Sequence, residues 1–406
     1  MTIPKPTEDR AAAPHPDSIR RNWVHVAAPK NKQWTTAMDG VGKLTLVEAA
    51  LPTPQEGEVL VKMSAVSLNY RDVQVCEGVF NQYNRTQAGG SPALVPCSDM
   101  CGTVVDASRD RTRRFAPGSR VLAIHLQSHL RGPVQESDLA SGLGLPLPGV
   151  LAQYRCFPAA SLVAAPAHLS DAEASCLPLA TATAWTALNW MRPLVVGGTV
   201  LLQGTSATAL AGLQIAKAAG WTAVVTAPTD ELRSRARDEL GADAVVNYQT
   251  HWAWEGDVLR ATHGRGADVI FETGDGARTL RKSFKCVAFG GVINCLGGGS
   301  SAVPGGGGDD GDGDGKTPTL HRMDVNALAL ARSVTIKGVL NGGRDRLEEA
   351  LAFYESTGIR PVVDRTFAFS EAGKALAYVK EGKGFGKVVI VVDEGGDGEK
   401  KPEEAS

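Results

Sequence analysis

The chain lacks the cysteine pattern of a stapled or metal-bound small fold. Its seven cysteines (Cys76, Cys97, Cys101, Cys156, Cys176, Cys286 and Cys295) are scattered, odd in number and include no C-x-x-C pair. That argues against a disulfide framework or a zinc knuckle and fits free thiols in a reducing, cytoplasmic compartment. Net charge is also lacking. The formal value is −2, with no basic stripe interleaved with aromatics, so nucleic acid is not an expected partner. The N-terminal stretch "MTIPKPTEDRAAAPHPDSIRR" has acidic residues and four prolines but no apolar segment, unlike a secretory signal. Two runs without charge, Ala174 to Met191 and Pro193 to Ala216, are too rich in Thr, Gly, Ser or Pro to read as membrane spans; buried elements explain them better.

What is present is ordinary globular material, 43% hydrophobic and 21% charged, over 406 residues, which is enough for two domains with sizeable cores. Residues 1–21 read as a disordered tail. Residues 22–175 carry short runs of period-two alternation such as "KLTLVEA", "EVLVKMSAVSL", "GTVVDAS", "SRVLAI" and "AQYRCF", punctuated by Gly and Pro, and should be mostly β. Residues 176–340 change grain. "SDAEASCLPLATATAWTALNWM", at the boundary, reads as one helix opened by a capping box of Ser170 and Glu173. After it, "TVLLQ", "TAVVTA", "DAVVNY", "ADVIFET", "GGVINCLG" and "SVTIKGVL" alternate with helical stretches, which predicts an α/β unit with a doubly wound parallel sheet. Residues 341–394 return to the first mixture, including the amphipathic helix "RDRLEEALAFYESTG" and a closing strand "GKVVIVV", and 395–406 form a polar tail. One block, 297–318, is Gly/Asp-rich. Asp310, Asp312 and Asp314 resemble the start of a calcium loop, but His321 stands where a bidentate Glu belongs, so the block reads as a disordered loop.

The stretch "VLLQGTSATALAGLQIAKAAGW" reads as strand, tight turn and helix. A G-x-G-x-x-G nucleotide turn would place glycines where this chain has Gly204, Ser206 and Ala209. Ser and Ala are the next smallest residues, and a helix N-terminus still offers N–H groups to a phosphate. Thr205, Ala207 and Thr208 complete the candidate loop. Taken alone, the loop fits either a nucleotide site or a well-packed turn. About 20 residues on, where an acid would bind a ribose 2′-hydroxyl, the strand runs through Thr226 to Thr229 without one, and Arg233, Arg235 and Arg237 follow. A missing acid beside guanidinium groups suits a 2′-phosphate and hence NADP(H). For each single arginine, a solvated helix face is an equally good reading.

"SLNYRDV" (67–73), "VPCSDMCGTVV" (95–105), "GSRV" (118–121), "GVLAQY" (149–154), "LPLATATAWTAL" (177–188), "GADAVVNY" (241–248) and "FGKVVI" (385–390) occur in one order. Together they resemble the medium-chain dehydrogenase/reductase superfamily, in particular its zinc-lacking quinone oxidoreductase and enoyl reductase-like branch among the zinc-type alcohol dehydrogenase-like proteins. The resemblance implies a GroES-like β domain split around a Rossmann domain. It also implies roles for single residues: Asn69 at the nicotinamide pocket, Tyr70 as the candidate proton donor to a developing enolate, and Thr183 along the cofactor site. Tyr248 would lie near the adenosine ribose or its 2′-phosphate, beside Thr229 and Arg233. Gly386 and Lys387 would form the far edge of the cofactor cleft. Zinc-dependent relatives have Cys where this chain has Asn69 and His-Glu where it has Ser98-Asp99, so no zinc is expected. His125, His129, Asp99 and Asp72 receive no catalytic role. The resulting expectation is a cytoplasmic, zinc-independent, NADP(H)-dependent oxidoreductase that passes hydride to an activated C=C or a quinone, with a small-molecule substrate and a homodimer left open. A tailoring role in a biosynthetic pathway is compatible with it. The alternatives are a zinc-free carbonyl reductase or alcohol dehydrogenase, and a non-catalytic NADPH-binding protein.

Overall fold

The computed structural model describes residues 30–79, 93–189, 196–274, 277–297 and 323–392. The two expected tails and the Gly/Asp block from residue 298 onward lie outside them. In chain order the first unit contains β1 (Lys30–Thr35), β2 (Thr45–Ala50), β3 (Glu58–Leu68), α1 (Tyr70–Cys76), β4 (Asp99–Asp106), β5 (Arg120–Ala123), β6 (Tyr154–Pro158), β7 (Leu162–Ala164), α2 (Asp171–Ser175) and α3 (Ala180–Asn189). The second contains β8 (Thr199–Gln203), α4 (Ala207–Ala218), β9 (Thr222–Ala227), α5 (Asp230–Asp238), β10 (Ala244–Asn247), α6 (Trp254–Ala261), β11 (Ala267–Glu272), α7 (Ala277–Cys286), β12 (Val287–Cys295), α8 (Val325–Arg332) and β13 (Thr335–Gly338). The chain closes with α9 (Arg344–Thr357), β14 (Val363–Ala368), α10 (Ala372–Lys380) and β15 (Lys387–Val391).

β8 to β13 form one six-stranded sheet in the order β10-β9-β8-β11-β12-β13. Every pairing in it is parallel. This is the doubly wound order in which the crossovers reverse between β8 and β11, and such sheets bind ligands at the carboxyl ends of the strands flanking that point. β8 and β11 are buried along their whole length, as strands covered on both faces must be. The first sheet runs β14-β15-β3-β4-β5-β7, with β6 also on β3. Its central strand, β3, is paired on one side by a strand from the far end of the chain: Ile390 stands opposite Val66 in antiparallel register. The split β domain is therefore a real feature of the topology. One hydrophobic cluster joins the two units, with Leu122 and Ile124 of the first, Leu202 and Phe271 of the second, and Leu347 and Phe385 of the return segment. Among the described residues no helix is long and apolar enough to cross a membrane.

The single helix expected from Ser170 onward is two helices. Ser170 does cap α2, with Glu173 reciprocating. However, α2 ends at Ser175 and α3 starts only at Ala180. Pro178 lies in the gap, where its ring and missing N–H cannot continue a helix. The β-rich half also contains a helix that alternation did not reveal. α1 opens on Asn69 and Asp72, a reciprocal capping box three residues apart.

Candidate active site

The turn after β8 has the conformation that the sequence suggested, though its parts are distributed differently. Gly204 sits at φ +81°, where only glycine is relaxed, and its N–H donates to the Thr226 carbonyl at 2.9 Å. A Cβ built on Gly204 would meet nothing within 4 Å, so the glycine is needed for its dihedral and the space beside it is open. Ser206 caps α4: its Oγ accepts the Ala209 N–H at 3.4 Å. The hydroxyl oxygen is thus engaged with the helix, while its proton stays available to a further acceptor. The backbone of Ser206 forms a parallel bridge to Gly386, across from the first sheet. Close helix-to-sheet contact, the usual task of the third fingerprint glycine, falls to Gly212. A Cβ there would lie 2.6 Å from Phe271 and 2.9 Å from Leu202. Thr205 is buried, and Ala207 and Thr208 start α4 half-buried.

At the end of β9, Thr229 caps α5 through Oγ1, which accepts the Leu232 N–H at 3.2 Å. Only one of the three arginines stays near this tip. Arg233 Nε lies 3.3 Å from Asp230, an exposed acid just past the strand that the sequence reading overlooked. Asp230 also accepts from Asn247 Nδ2 at 3.2 Å. Arg235 pairs with Glu239 at 2.8 Å and lies over the Phe385 ring at 4.2 Å, so it joins α5 to the return segment. Arg237 pairs with its neighbour Asp238. Tyr248 follows β10, with its N–H on the Ala227 carbonyl at 3.1 Å and its ring packed into the cluster of Val246 and Trp254.

Across the cleft lies a polar group formed by the half-buried Asn69 and the buried Asp99 and Lys387. Lys387 Nζ lies 2.8 Å from Asn69 Oδ1 and 3.0 Å from Asp99 Oδ2, and Asn69 Nδ2 donates to the same Asp99 oxygen at 3.1 Å. Lys387 and Asp99 have side-chain exposures of 3% and 0%, which makes this a buried ion pair. Ser98 Oγ approaches Asp99 Oδ1 at 3.5 Å. Beside them, Asp72 Oδ2 accepts the Asn69 N–H at 2.8 Å, while its Oδ1 is buried without a partner. Burial pushes the Asp72 carboxyl up to about 6, against the pull of the Asn69 N–H. Asp72 and Asp99, given no role from sequence, are therefore integral to the group. The N-x-x-D spacing of the capping box was the signal that could have pointed to Asp72. Thr183 is buried on α3 with its hydroxyl on the Leu179 carbonyl at 2.7 Å. Tyr70 is the exception. It is 54% exposed, and its hydroxyl makes no hydrogen bond to a described residue. His125 is buried, which holds its imidazole well below the usual range, and in both His125 and His129 the Nδ1 is buried without a partner.

A small cavity at the start of α4 is lined by Cys176, Thr181, Ala207, Leu210, Gly386 and Lys387, so the N-terminus of α4 and the polar group share a wall. The donor set does not suit zinc, which favours thiolate and imidazole ligands. Asn69 offers an amide, Ser98 a hydroxyl, and Asp99 a carboxylate already neutralised by Lys387. The nearby Cys97 thiol is held protonated by burial. Among the described residues no group of three His, Cys, Asp or Glu side chains could hold a metal ion.

A β domain split around a parallel sheet of this strand order, with a glycine turn facing a buried polar cleft, defines a pyridine-nucleotide dehydrogenase. The family model for the alcohol dehydrogenase GroES-like domain matches residues 55–167, and that for zinc-binding dehydrogenase matches 240–390. A zinc-type alcohol dehydrogenase-like protein of Schizosaccharomyces pombe is 32% identical over 339 residues, covering 83% of this chain and 91% of its own length. A chloroplast envelope quinone oxidoreductase homologue of Arabidopsis thaliana is 24% identical over 364 residues, covering 88% and 97%. A crystal structure from Sinorhizobium meliloti 1021, provisionally classed as an alcohol dehydrogenase, superposes with a TM-score of 0.75 at 36% identity, over 89% of this chain and 99% of that one. The chain belongs to the zinc-type alcohol dehydrogenase-like proteins of the medium-chain dehydrogenase/reductase superfamily and is an oxidoreductase.

Proposed function

We propose that the protein is a zinc-independent, NADP(H)-dependent reductase of activated C=C bonds or quinones. The observation that carries the reading is the Asn69–Asp99–Lys387 group, in which Asn69 and Asp99 stand at positions where the resemblance puts the Cys and the Glu of zinc-dependent relatives. A Lewis acid eases loss of an alcohol's hydroxyl proton as it is oxidised, and a site without one is less suited to simple alcohol oxidation. An enone, enoyl ester or quinone is already polarised and needs only placement and a hydrogen-bond donor. When bound, the reduced nicotinamide supplies the hydride. The chain's own residues then have separate tasks. Gly204 to Thr208 and the first turn of α4 hold the pyrophosphate. Arg233 releases Asp230 to take a 2′-phosphate, flanked by Thr229 and Tyr248. Thr183, Gly386 and Lys387 wall the nicotinamide side. Asn69 keeps one Nδ2 proton free of Asp99 and offers it to the acceptor oxygen. Tyr70, exposed at the cleft end of α1, takes up a proton-donating role only if the bound substrate covers it. The resemblance to a quinone oxidoreductase homologue supports the acceptor class.

The test is a panel of enones, enoyl thioesters, quinones and aldehydes with NADPH and NADH, following nicotinamide absorbance. Turnover with enones or quinones is expected, with NADPH bound at least about tenfold tighter than NADH, an amount that one charge-assisted phosphate contact supplies. Turnover confined to aldehydes would move the protein to the carbonyl reductases. Tight NADPH binding without turnover on any acceptor would make it a binding protein.

A further inference from the structure

Asp99 touches neither the open space beside Gly204 nor solvent, yet it determines how two other residues are held. It lies on β4, Asn69 begins α1, and Lys387 begins β15, so three elements meet at one carboxylate oxygen. The three contacts, at 2.8, 3.0 and 3.1 Å, close a ring. Only one orientation of the Asn69 amide satisfies it, with Oδ1 toward the ammonium and Nδ2 toward the carboxylate; a flipped amide would present its N–H groups to a cation and its oxygen to an anion. The ring is also tied to the nucleotide loop, because the residue before Lys387 is Gly386, which pairs with Ser206. Gly386 sits at φ +102°, where a Cβ would lie 2.5 Å from the Val362 carbonyl, and that carbonyl accepts the Lys387 N–H at 3.0 Å.

We propose that Asp99 is a positioning residue for hydride transfer, fixing the Asn69 amide and the Lys387 ammonium so that the free Asn69 N–H points at the acceptor. It does so without touching substrate or cofactor. This rests on the reductase reading above. The competing view is an ion pair that only stabilises the fold. Buried pairs of that kind can often be replaced by apolar residues of similar volume without loss. The two views diverge in a variant from which both charges are removed.

The experiment compares the parent with Asp99→Asn and with Asp99→Asn/Lys387→Met. The double variant leaves no uncompensated buried charge and so keeps the test open if the single variant folds poorly. Solvent exchange of the Asn69 side-chain amide is followed by ¹⁵N-resolved NMR in the nucleotide-free protein, with the resonance assigned by its loss in Asn69→Asp. Melting temperature, NADPH affinity, kcat and the acceptor KM are measured alongside. In the double variant we expect a melting temperature within about 3 °C of the parent. We also expect amide exchange at least about tenfold faster, and kcat about thirtyfold lower with the acceptor KM within about threefold, the pattern of a lost transition-state interaction. Parent-like amide exchange in both variants, or parent turnover in the double variant, overturns the proposal. If the parent itself reduces no acceptor, the reductase reading fails separately, and amide exchange alone decides whether Asp99 fixes Asn69.

Discussion

Ser206 serves a helix and a distant segment of the chain from one position. Its side chain caps α4 and its backbone meets Gly386. Ser206→Gly should therefore lose only a few tenths of a kcal/mol of helix stability and keep NADPH affinity within about tenfold. Ser206→Leu should weaken NADPH by several kcal/mol, through lost phosphate contacts added to about 1–3 kcal/mol of crowding, while circular dichroism still reports a folded protein. Fluorescence titration checks both, and unchanged binding by Ser206→Leu would remove this turn as the phosphate site. Asp72 allows a prediction in pH. Its folded value of about 6 lies above the ordinary 3.8, so between about pH 4 and 6 the folded chain holds a proton that the unfolded chain has released. Stability attributable to this group is thus present at low pH and declines as pH rises through that window. Asp72→Asn keeps an acceptor for the Asn69 N–H and has no charge to desolvate. Relative to the parent, its unfolding free energy should rise by about 2 kcal/mol between pH 4.5 and 7.5, measured by denaturant titration at each pH. A flat difference would show that Asp72 is not held up in the folded state.

Among the elements, α4 is the one on which the proposed nucleotide site rests. It lies close to β8 and β11 because Gly212 has no side chain at the contact. Gly212→Val should force the helix outward, lower the melting temperature by about 5 °C and weaken NADPH, because the N-terminal N–H groups move with the helix. If stability falls and affinity does not, the helix N-terminus is not where the nucleotide is held. The elements were also the most legible part of the sequence. "EVLVKMSAVSL" is β3 residue for residue, and the six β-rich runs of the second unit are β8 to β13, since alternation and β-branching act over a few neighbours. The α2–α3 break was misread because small apolar residues on both sides of Pro178 keep a helical pattern. The polar site was legible only in part. Asn69 and Lys387 could be nominated singly, but nothing local says that Lys387 reaches an aspartate 288 positions away. The arginines near β9 show the converse. All three looked alike in sequence; Arg233 and Arg237 keep to acids on their own helix, and among the described residues only Arg235 also gains a tertiary partner, Phe385.

For the whole molecule, the return segment is held at three successive residues. Phe385 lies under Arg235 of α5, Gly386 pairs with the nucleotide turn, and Lys387 enters the polar group. Arg235→Gln should loosen this attachment and speed limited tryptic cleavage at Lys380 or Lys383 by about fivefold, as local opening becomes easier. Arg237→Gln, whose partner is the adjacent Asp238, should leave the cleavage rate unchanged. Equal rates in both variants would mean that the α5 contact does not hold the segment. Threading of the chain has a further effect during synthesis. β3 and Asn69 leave the ribosome well before β15 and Lys387, which lies 318 residues later. The six-stranded sheet, whose strands all lie between residues 199 and 338, can form while the first sheet still lacks its partner strand and the loop between them is long. A nascent or truncated chain ending before residue 385 could therefore fold a nucleotide-binding unit whose polar site is missing its cation. Closure of the polar group would wait for β15, a late checkpoint that copies ending before it do not pass.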